Sequence, residues 1–198
     1  MPNRREFIRS SLQSAAIATI GLPYAQTAAD VVPRAASLYR VLYDRRLAGA
    51  RLFASTVTRL GAKTACLGDD LGPLWMNLIE PRLREGSAVL AGLTRPAPLF
   101  CLEFLCRDYG MRLLYRAEHR RAAADRMSSV VTGNAAAEAY VPAAFRSVEP
   151  WPVIAGTAAI ETARRFDADR AIDTLDLSES DADSVYSWVI VPRPTALG

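Results

Sequence analysis

The stretch "SAVLAGLT", Ser87 to Thr94, decides the architecture. Between hydroxyl residues at its two ends it is a continuous run of small and aliphatic side chains. A strand with one face in water alternates apolar and polar residues, whereas a strand covered on both faces does not need to. The run therefore predicts a central strand with helices packed above and below it. Its neighbours fit that role. On the amino side, "LGPLWMNLIEPRLREG" carries apolar residues at helical spacing and is interrupted near Pro81. On the carboxyl side, "APLFCLEFLCRDYG" predicts a helix ending at Gly110.

Further out the same alternation recurs. "SLYRVLYD" (Ser37 to Asp44) predicts a strand, and Leu47, Ala50, Leu52, Phe53, Val57 and Leu60 then recur at helical spacing up to Gly61. "AKTACLGD" (Ala62 to Asp69) and "MRLLYRAE" (Met111 to Glu118) predict two more strands. A helix is predicted at Pro152 to Asp167. The acidic run "DLSESDAD" then leads into a last strand, "SVYSWVIVP" (Ser184 to Pro192). Residues 119–150 are rich in Ala, Arg and Ser without a sustained period, and predict a long irregular excursion, a length that in compact domains usually serves a function or stays disordered. The fold class expected is α/β: a single three-layer domain of about five mostly parallel strands with helices on both faces, flavodoxin-like or Rossmann-like in outline.

In open sheets of this kind ligands bind beyond the carboxyl ends of the strands. The residues predicted there are Asp44, Arg45 and Arg46 after the first strand, Gly68, Asp69 and Asp70 after the second, Thr94 and Arg95 after the third, and Glu118 and His119 after the fourth. Asp44, Asp69 and His119, the only histidine of the chain, are the candidate catalytic residues. A carboxylate pair suits a hard cation, and an imidazole titrates near neutrality. Asp70, Thr94, Arg95 and Glu118 are candidates for holding a ligand, with Thr94 and Arg95 opening a helix whose N-terminus favours anions. The competing reading is plainer: Asp after a strand commonly caps the next helix, and polar residues gather at loop ends.

Named cofactor signatures are missing. "YDRRLAGAR" stands where a G-x-G-x-x-G turn would follow the first strand, and no G-x-x-x-x-G-K-[ST] or G-x-S-x-G occurs. With one histidine and no close cysteine pair, a tetrahedral zinc or c-type haem site is disfavoured. No metal ligand set and no cofactor can be named from these residues. Cys66 is predicted inside a strand; Cys101 and Cys106, five apart on one helix, point about 140° apart, so free and buried thiols are expected. Trp75, Trp151 and Trp188 read mainly as core.

The amino terminus raises a separate question. In "NRREFIRSS", Arg4 and Arg5 are followed by one variable residue, Phe7, Ile8 and Arg9, and then by the weakly apolar "LQSAAIATIGLP". This resembles a twin-arginine signal peptide, with Asn3 where Ser or Thr is usual. The apolar run is too short and Ala-rich for a permanent span, which needs roughly 20 strongly apolar residues. Small residues at Thr27 and Ala29 suit cleavage before Asp30, so residues 1–29 are expected to be the signal and 30–198 the mature α/β domain. The resemblance implies recognition by the twin-arginine translocase, folding before export, a bacterial periplasmic destination and no span after processing.

Charge adds little to this picture. Residues 1–29 hold three arginines against one glutamate, two of the net +3 of the whole chain, and leave the mature domain near +1. That balance gives no support for nucleic-acid binding. The functional expectation is an exported accessory or ligand-binding protein, travelling with or docking on a larger envelope redox enzyme. The alternative is a small periplasmic hydrolase or isomerase working through the acidic rim and His119.

Overall fold

Six strands form one sheet in the order β2-β1-β3-β6-β4-β5. The computed structural model describes residues 37–86, 88–121, 127–133, 149–165 and 184–193. The expected export signal with Arg4, Arg5 and Phe7, the acidic run before the last strand and most of the 119–150 stretch lie outside the described residues. β1 (Leu38–Asp44) leads to helix α1 (Ala50–Arg59) and β2 (Thr64–Leu67). Helix α2 is a continuous run of three pieces, Gly72–Leu74, the π-helical Trp75–Ile79 and Glu80–Glu85. Then follow β3 (Val89–Thr94), α3 (Pro96–Arg107), β4 (Met111–Arg121), β5 (Met127–Gly133), α4 (Trp151–Arg164) and β6 (Val185–Pro192).

The continuous apolar run behaves as its composition demands. All six residues of β3 are buried, between the two halves of the sheet and beneath helices on both faces. One core joins Val41, Val89, Ala91, Leu93, Tyr115 and Val189 to α1 and α4. The other joins Leu42, Leu90, Trp188 and Ile190 to α2 and α3. Gly92 is required at the centre of this second core. A Cβ there would lie 2.4 Å from the Trp188 indole and 2.7 Å from the Leu42 carbonyl oxygen, closer than any side chain tolerates. Gly49 meets a similar need where α1 begins: its φ is +84°, and a Cβ would stand 2.5 Å from the Pro152 ring of α4.

The expectation of five mostly parallel strands is corrected. β1 pairs in parallel with β2 and β3, but the ladders β3–β6, β6–β4 and β4–β5 are all antiparallel. The final strand inserts between β3 and β4 instead of closing an edge, which removes the parallel neighbour a flavodoxin-like order would supply. The irregular reading of 119–150 is corrected in part. β4 continues through His119 to Arg121 and pairs with β5, so the first part of that stretch is a β-hairpin. Hairpin strands carrying Arg120, Ser128 and Ser129 lack the apolar alternation that makes a strand visible in sequence.

The interruption expected near Pro81 takes the form of a π turn. Pro81 has no N–H to offer the carbonyl one turn back. The backbone widens ahead of it, and the Glu80 N–H bonds the Trp75 carbonyl five residues earlier.

Candidate functional site

The topology itself makes a crevice. From β1 the chain moves outward to β2 through α1 on one face, whereas from β3 it moves the other way to β4 through α3 on the opposite face. Between the carboxyl ends of β1 and β3 the connections therefore diverge, the position at which open α/β sheets bind ligands. Asp44 ends β1 and Thr94 ends β3 there.

The sequence-predicted rim residues meet at this point, but they satisfy one another. The Asp44 side chain is completely buried. Its Oδ1 accepts from the Arg46 backbone N–H at 3.0 Å and from Arg46 Nε at 2.9 Å. Its Oδ2 accepts from Arg46 Nη2 at 3.0 Å and from Arg95 Nε at 3.2 Å. Four donors thus occupy the roughly four lone-pair sites of a carboxylate. Arg46 also reaches Asp69 through Nη1 at 2.7 Å, although Asp69 is 83 % exposed. Burial by itself would raise the Asp44 pKa, but the hydrogen bonds from Arg46 and the charges of Arg46 and Arg95 outweigh it and hold the carboxyl below its ordinary value.

Asp70 and Thr94 have structural partners as well. Asp70 Oδ1 accepts from the Gly72 N–H at 2.8 Å, an Asx turn that leads the chain into α2, whose N-cap position is Leu71. Thr94 Oγ1 accepts from Trp188 Nε1 at 3.0 Å and is fully buried. The N-terminus of α3 offers little to an anion. Pro96 and Pro98 have no N–H, and the Leu99 N–H bonds back to the Arg95 carbonyl at 3.4 Å.

His119 is not part of this group. β3 and β6 stand between β1 and β4, which at about 4.8 Å per strand separates His119 from Asp44 by roughly 14 Å. It also belongs to the opposite face, fully buried, with its ring 5.1 Å from that of Trp151 at the head of α4. Nδ1 lies 2.9 Å from Ser129 Oγ and Nε2 lies 2.9 Å from Ser187 Oγ, which in turn is 3.1 Å from the Tyr115 hydroxyl. Removal from water pushes the imidazole down to about 3, against the weaker opposing pull of Glu118. The ring is neutral at physiological pH, donating from one nitrogen and accepting at the other.

Glu118, its neighbour on β4, faces the α3 side. Burial raises its pKa, but bonds from Ser184, Arg120 and Tyr186 bring it below the ordinary value. The Arg116 guanidinium stands over the Tyr186 ring, with Cζ 5.2 Å from the ring centroid. Together these two side chains form the floor of an open concavity of about 300 Å3, walled by Pro96, Ala97, Phe100 and Cys101 of α3. Phe100 and Phe104, one turn apart on that helix, are about 60 % exposed.

No protein-family model, curated protein or solved structure matches this chain. Among the described residues no group of three or more His, Cys, Asp or Glu is placed to hold a metal ion, and no helix is long and apolar enough to cross a membrane. The cysteines are free, but the expectation that all are buried is corrected. Cys66 is exposed because β2 is an edge strand, and Cys101 lies on the solvent side of α3, leaving only Cys106 inside. Sequence reasoning missed the roles of Arg116, Tyr186, Ser129 and Ser187. Only Ser187 carries a sequence signal, being a hydroxyl between Tyr186 and Trp188 in an otherwise apolar strand.

Proposed function

We propose that this chain is a binding protein of the accessory or ligand-binding kind, exported folded by the twin-arginine pathway and working in the periplasm beside a larger envelope enzyme. One observation carries the binding half of this reading. The polar groups at the carboxyl edge are spent on one another, whereas the concavity beside α3 is open and apolar, next to two exposed phenylalanines. Exposed aromatic side chains around a pocket are the chemistry of recognition. The export half rests on Arg4, Arg5 and Phe7 and on the apolar run behind them.

The alternative, a periplasmic hydrolase or isomerase built on Asp44, Asp69 and His119, draws less support. It needs the imidazole beside the carboxylates, and the two stand on opposite faces of the sheet with both ring nitrogens already bonded. Native mass spectrometry of the protein recovered from its own host's periplasm tests the proposal. A co-purifying polypeptide or small molecule is the expected result. A bare chain, or a chain still cytoplasmic and indifferent to Arg4→Lys with Arg5→Lys, overturns it.

A further inference from the structure

We infer that the exposed face of α3 pairs, antiparallel, with the same face of a second copy of this chain. This rests on the binding reading above and deepens it by naming the occupant of that face. α3 is apolar on both sides. Leu99, Leu102 and Cys106 are buried against the sheet, whereas Ala97, Phe100, Cys101 and Phe104 are exposed. At 3.6 residues per turn those four fall within an arc of about 100°, at the i, i+3, i+4, i+7 spacing of a helix–helix seam. Between Arg95 and Arg107 the only charged residue is Glu103, and it is buried. A helix with no exposed charge inside its two ends presents a face that lacks its cover.

The order of sizes along the seam says what that cover is. It runs small, large, small, large: Ala97, Phe100, Cys101, Phe104. Read backwards the order is large, small, large, small. An antiparallel copy centred between Phe100 and Cys101 therefore sets each Phe104 against Ala97 of the other chain. Ala97 lies in the wall of the concavity of about 300 Å3, with Pro96, Phe100 and Cys101. Each chain thus carries both the knob and the hole, which is what a two-fold interface requires. The other exposed large apolar residues among those described, Leu52, Met76 and Val130, stand singly on α1, α2 and β5 and form no second seam. Charge agrees with a like partner: the face is neutral and the chain beyond residue 29 is near +1, so two copies meet without strong repulsion. Area sets the strength. Phe100 and Phe104 are 60 % and 61 % exposed, which leaves about 120 Å2 open on each of two rings of roughly 200 Å2. With Ala97 and Cys101 the seam offers about 300–400 Å2 per copy, half or less of the roughly 800 Å2 of a standard interface. The dimer is weak and exchanges with monomer.

Sedimentation velocity of the full-length chain at rising concentration tests this. The expected result is a shift from monomer to dimer between about 10 μM and about 1 mM. Phe104→Arg sets like charges against the seam and weakens pairing at least about tenfold. Phe104→Ala and Ala97→Phe each weaken it about 3–10-fold, and the two together restore it to within about twofold, because large and small have exchanged places across the axis. Cys101 reads the axis directly. At an interaxial distance of about 8–10 Å the two Cys101 Cα atoms stand about 5–7 Å apart, within reach of a disulfide. In a Cys66→Ser background a dipyridyl disulfide, which releases two thiopyridones as two thiols join, links two chains through Cys101, while buried Cys106 does not contribute. Phe104→Arg abolishes that link. Circular dichroism and thermal unfolding check that each variant is folded.

A chain that stays monomeric over that range overturns the inference. So does a dimer indifferent to Phe104→Arg, a swapped variant that pairs no better than its two parents, or Cys101 thiols that never link. The native mass measurement distinguishes this failure from the failure of the binding reading. A companion of another mass that Phe104→Arg releases keeps α3 as the binding face and puts that partner in place of the second copy. A monomeric chain with no companion removes both.

Discussion

The two faces of the sheet hide polar groups in opposite ways. Under α1 and α4, Ser129, His119, Ser187 and Tyr115 form a neutral hydrogen-bonded chain, with Trp151 packed on the imidazole. On the side of α2 and α3 the polar groups are charged and reach water: Arg46 and Arg95 are more than 40 % exposed around buried Asp44, and Arg116 lies over Tyr186. A neutral network centred on a fully buried ring holds the fold together, and it does so at the cost of refusing protons. A charged group at a surface is tolerated by solvent and remains able to meet something else. The structural and the recognition roles are thereby divided between the two sides of one sheet.

The sharpest way to break this comparison is pH. Between 6.5 and about 3 the unfolded chain binds a proton that the buried ring refuses, so acidification through that window favours unfolding, and the effect is absent above pH 7. His119 alone should remove about 3 kcal/mol of stability between pH 7 and pH 4. Urea unfolding of wild type and of His119→Gln across that range measures it as the difference in slope. Glu103 on α3 works in the opposite sense. Burial raises its carboxyl pKa against the pull of Arg107 and Arg116, so its contribution worsens as pH rises from the ordinary carboxylate range. Equal slopes in wild type and variant would mean that water reaches the imidazole and that the closed face is not closed.

Next in size is Ser187→Ala, which leaves both His119 Nε2 and the Tyr115 hydroxyl without a partner in the core. Two orphaned groups should cost about 2 kcal/mol, whereas Tyr115→Phe removes one end of the chain and should cost about 1 kcal/mol. Chemical denaturation of the two single variants and the double variant gives the coupling. Simple additivity would show that the chain is not a connected network.

How much of this division is legible in the sequence follows from which patterns sequence can carry. The central strand is legible because a run such as Val89 to Leu93 has no other comfortable place than between two layers. Asp44, Thr94 and Arg95 are legible as rim residues because each falls where a strand pattern gives way to a helix pattern. The antiparallel insertion of β6 is not, since its side chains obey the same rule beside a parallel or an antiparallel neighbour. The position of His119 is lost for a related reason. A strand end is inferred from where apolar residues stop, and β4 runs on through His119, Arg120 and Arg121, held by pairing with β5 and not by hydrophobicity. The pocket floor is the least visible part, because Arg116 and Tyr186 are 70 residues apart and meet only through strand order.

On the charged side, Asp44→Asn should cost about 1–2 kcal/mol, less than the 3–5 kcal/mol typical of breaking a buried ion pair. That larger figure reflects a charge stranded in the core. Here the stranded partners, Arg46 and Arg95, are nearly half exposed and rehydrate where they stand. The acid limb should also soften. The Asp44 pKa is depressed in the folded state, so its contribution is present above the ordinary carboxylate value and lost as pH falls through the lower folded one. A measured loss above 3 kcal/mol would place the cluster in the same closed environment as His119 and erase the contrast between the faces.

The smallest expected effect on stability comes from Phe100→Ser combined with Phe104→Ser. Both rings project from α3 into solvent, so their removal should change the unfolding free energy by no more than about 0.5 kcal/mol. Two exposed aromatic residues that contribute nothing to the fold still expose apolar surface that favours association, and their retention makes physical sense if something covers them. The measurement that matters is therefore made on the complex. If the folded double variant, recovered from the periplasm, loses the companion molecule seen by native mass spectrometry, then stability and recognition reside on different sides of the sheet. If the companion stays while the unfolding midpoint falls, the phenylalanines are core residues in a fuller assembly, and the open face is open only in the isolated chain.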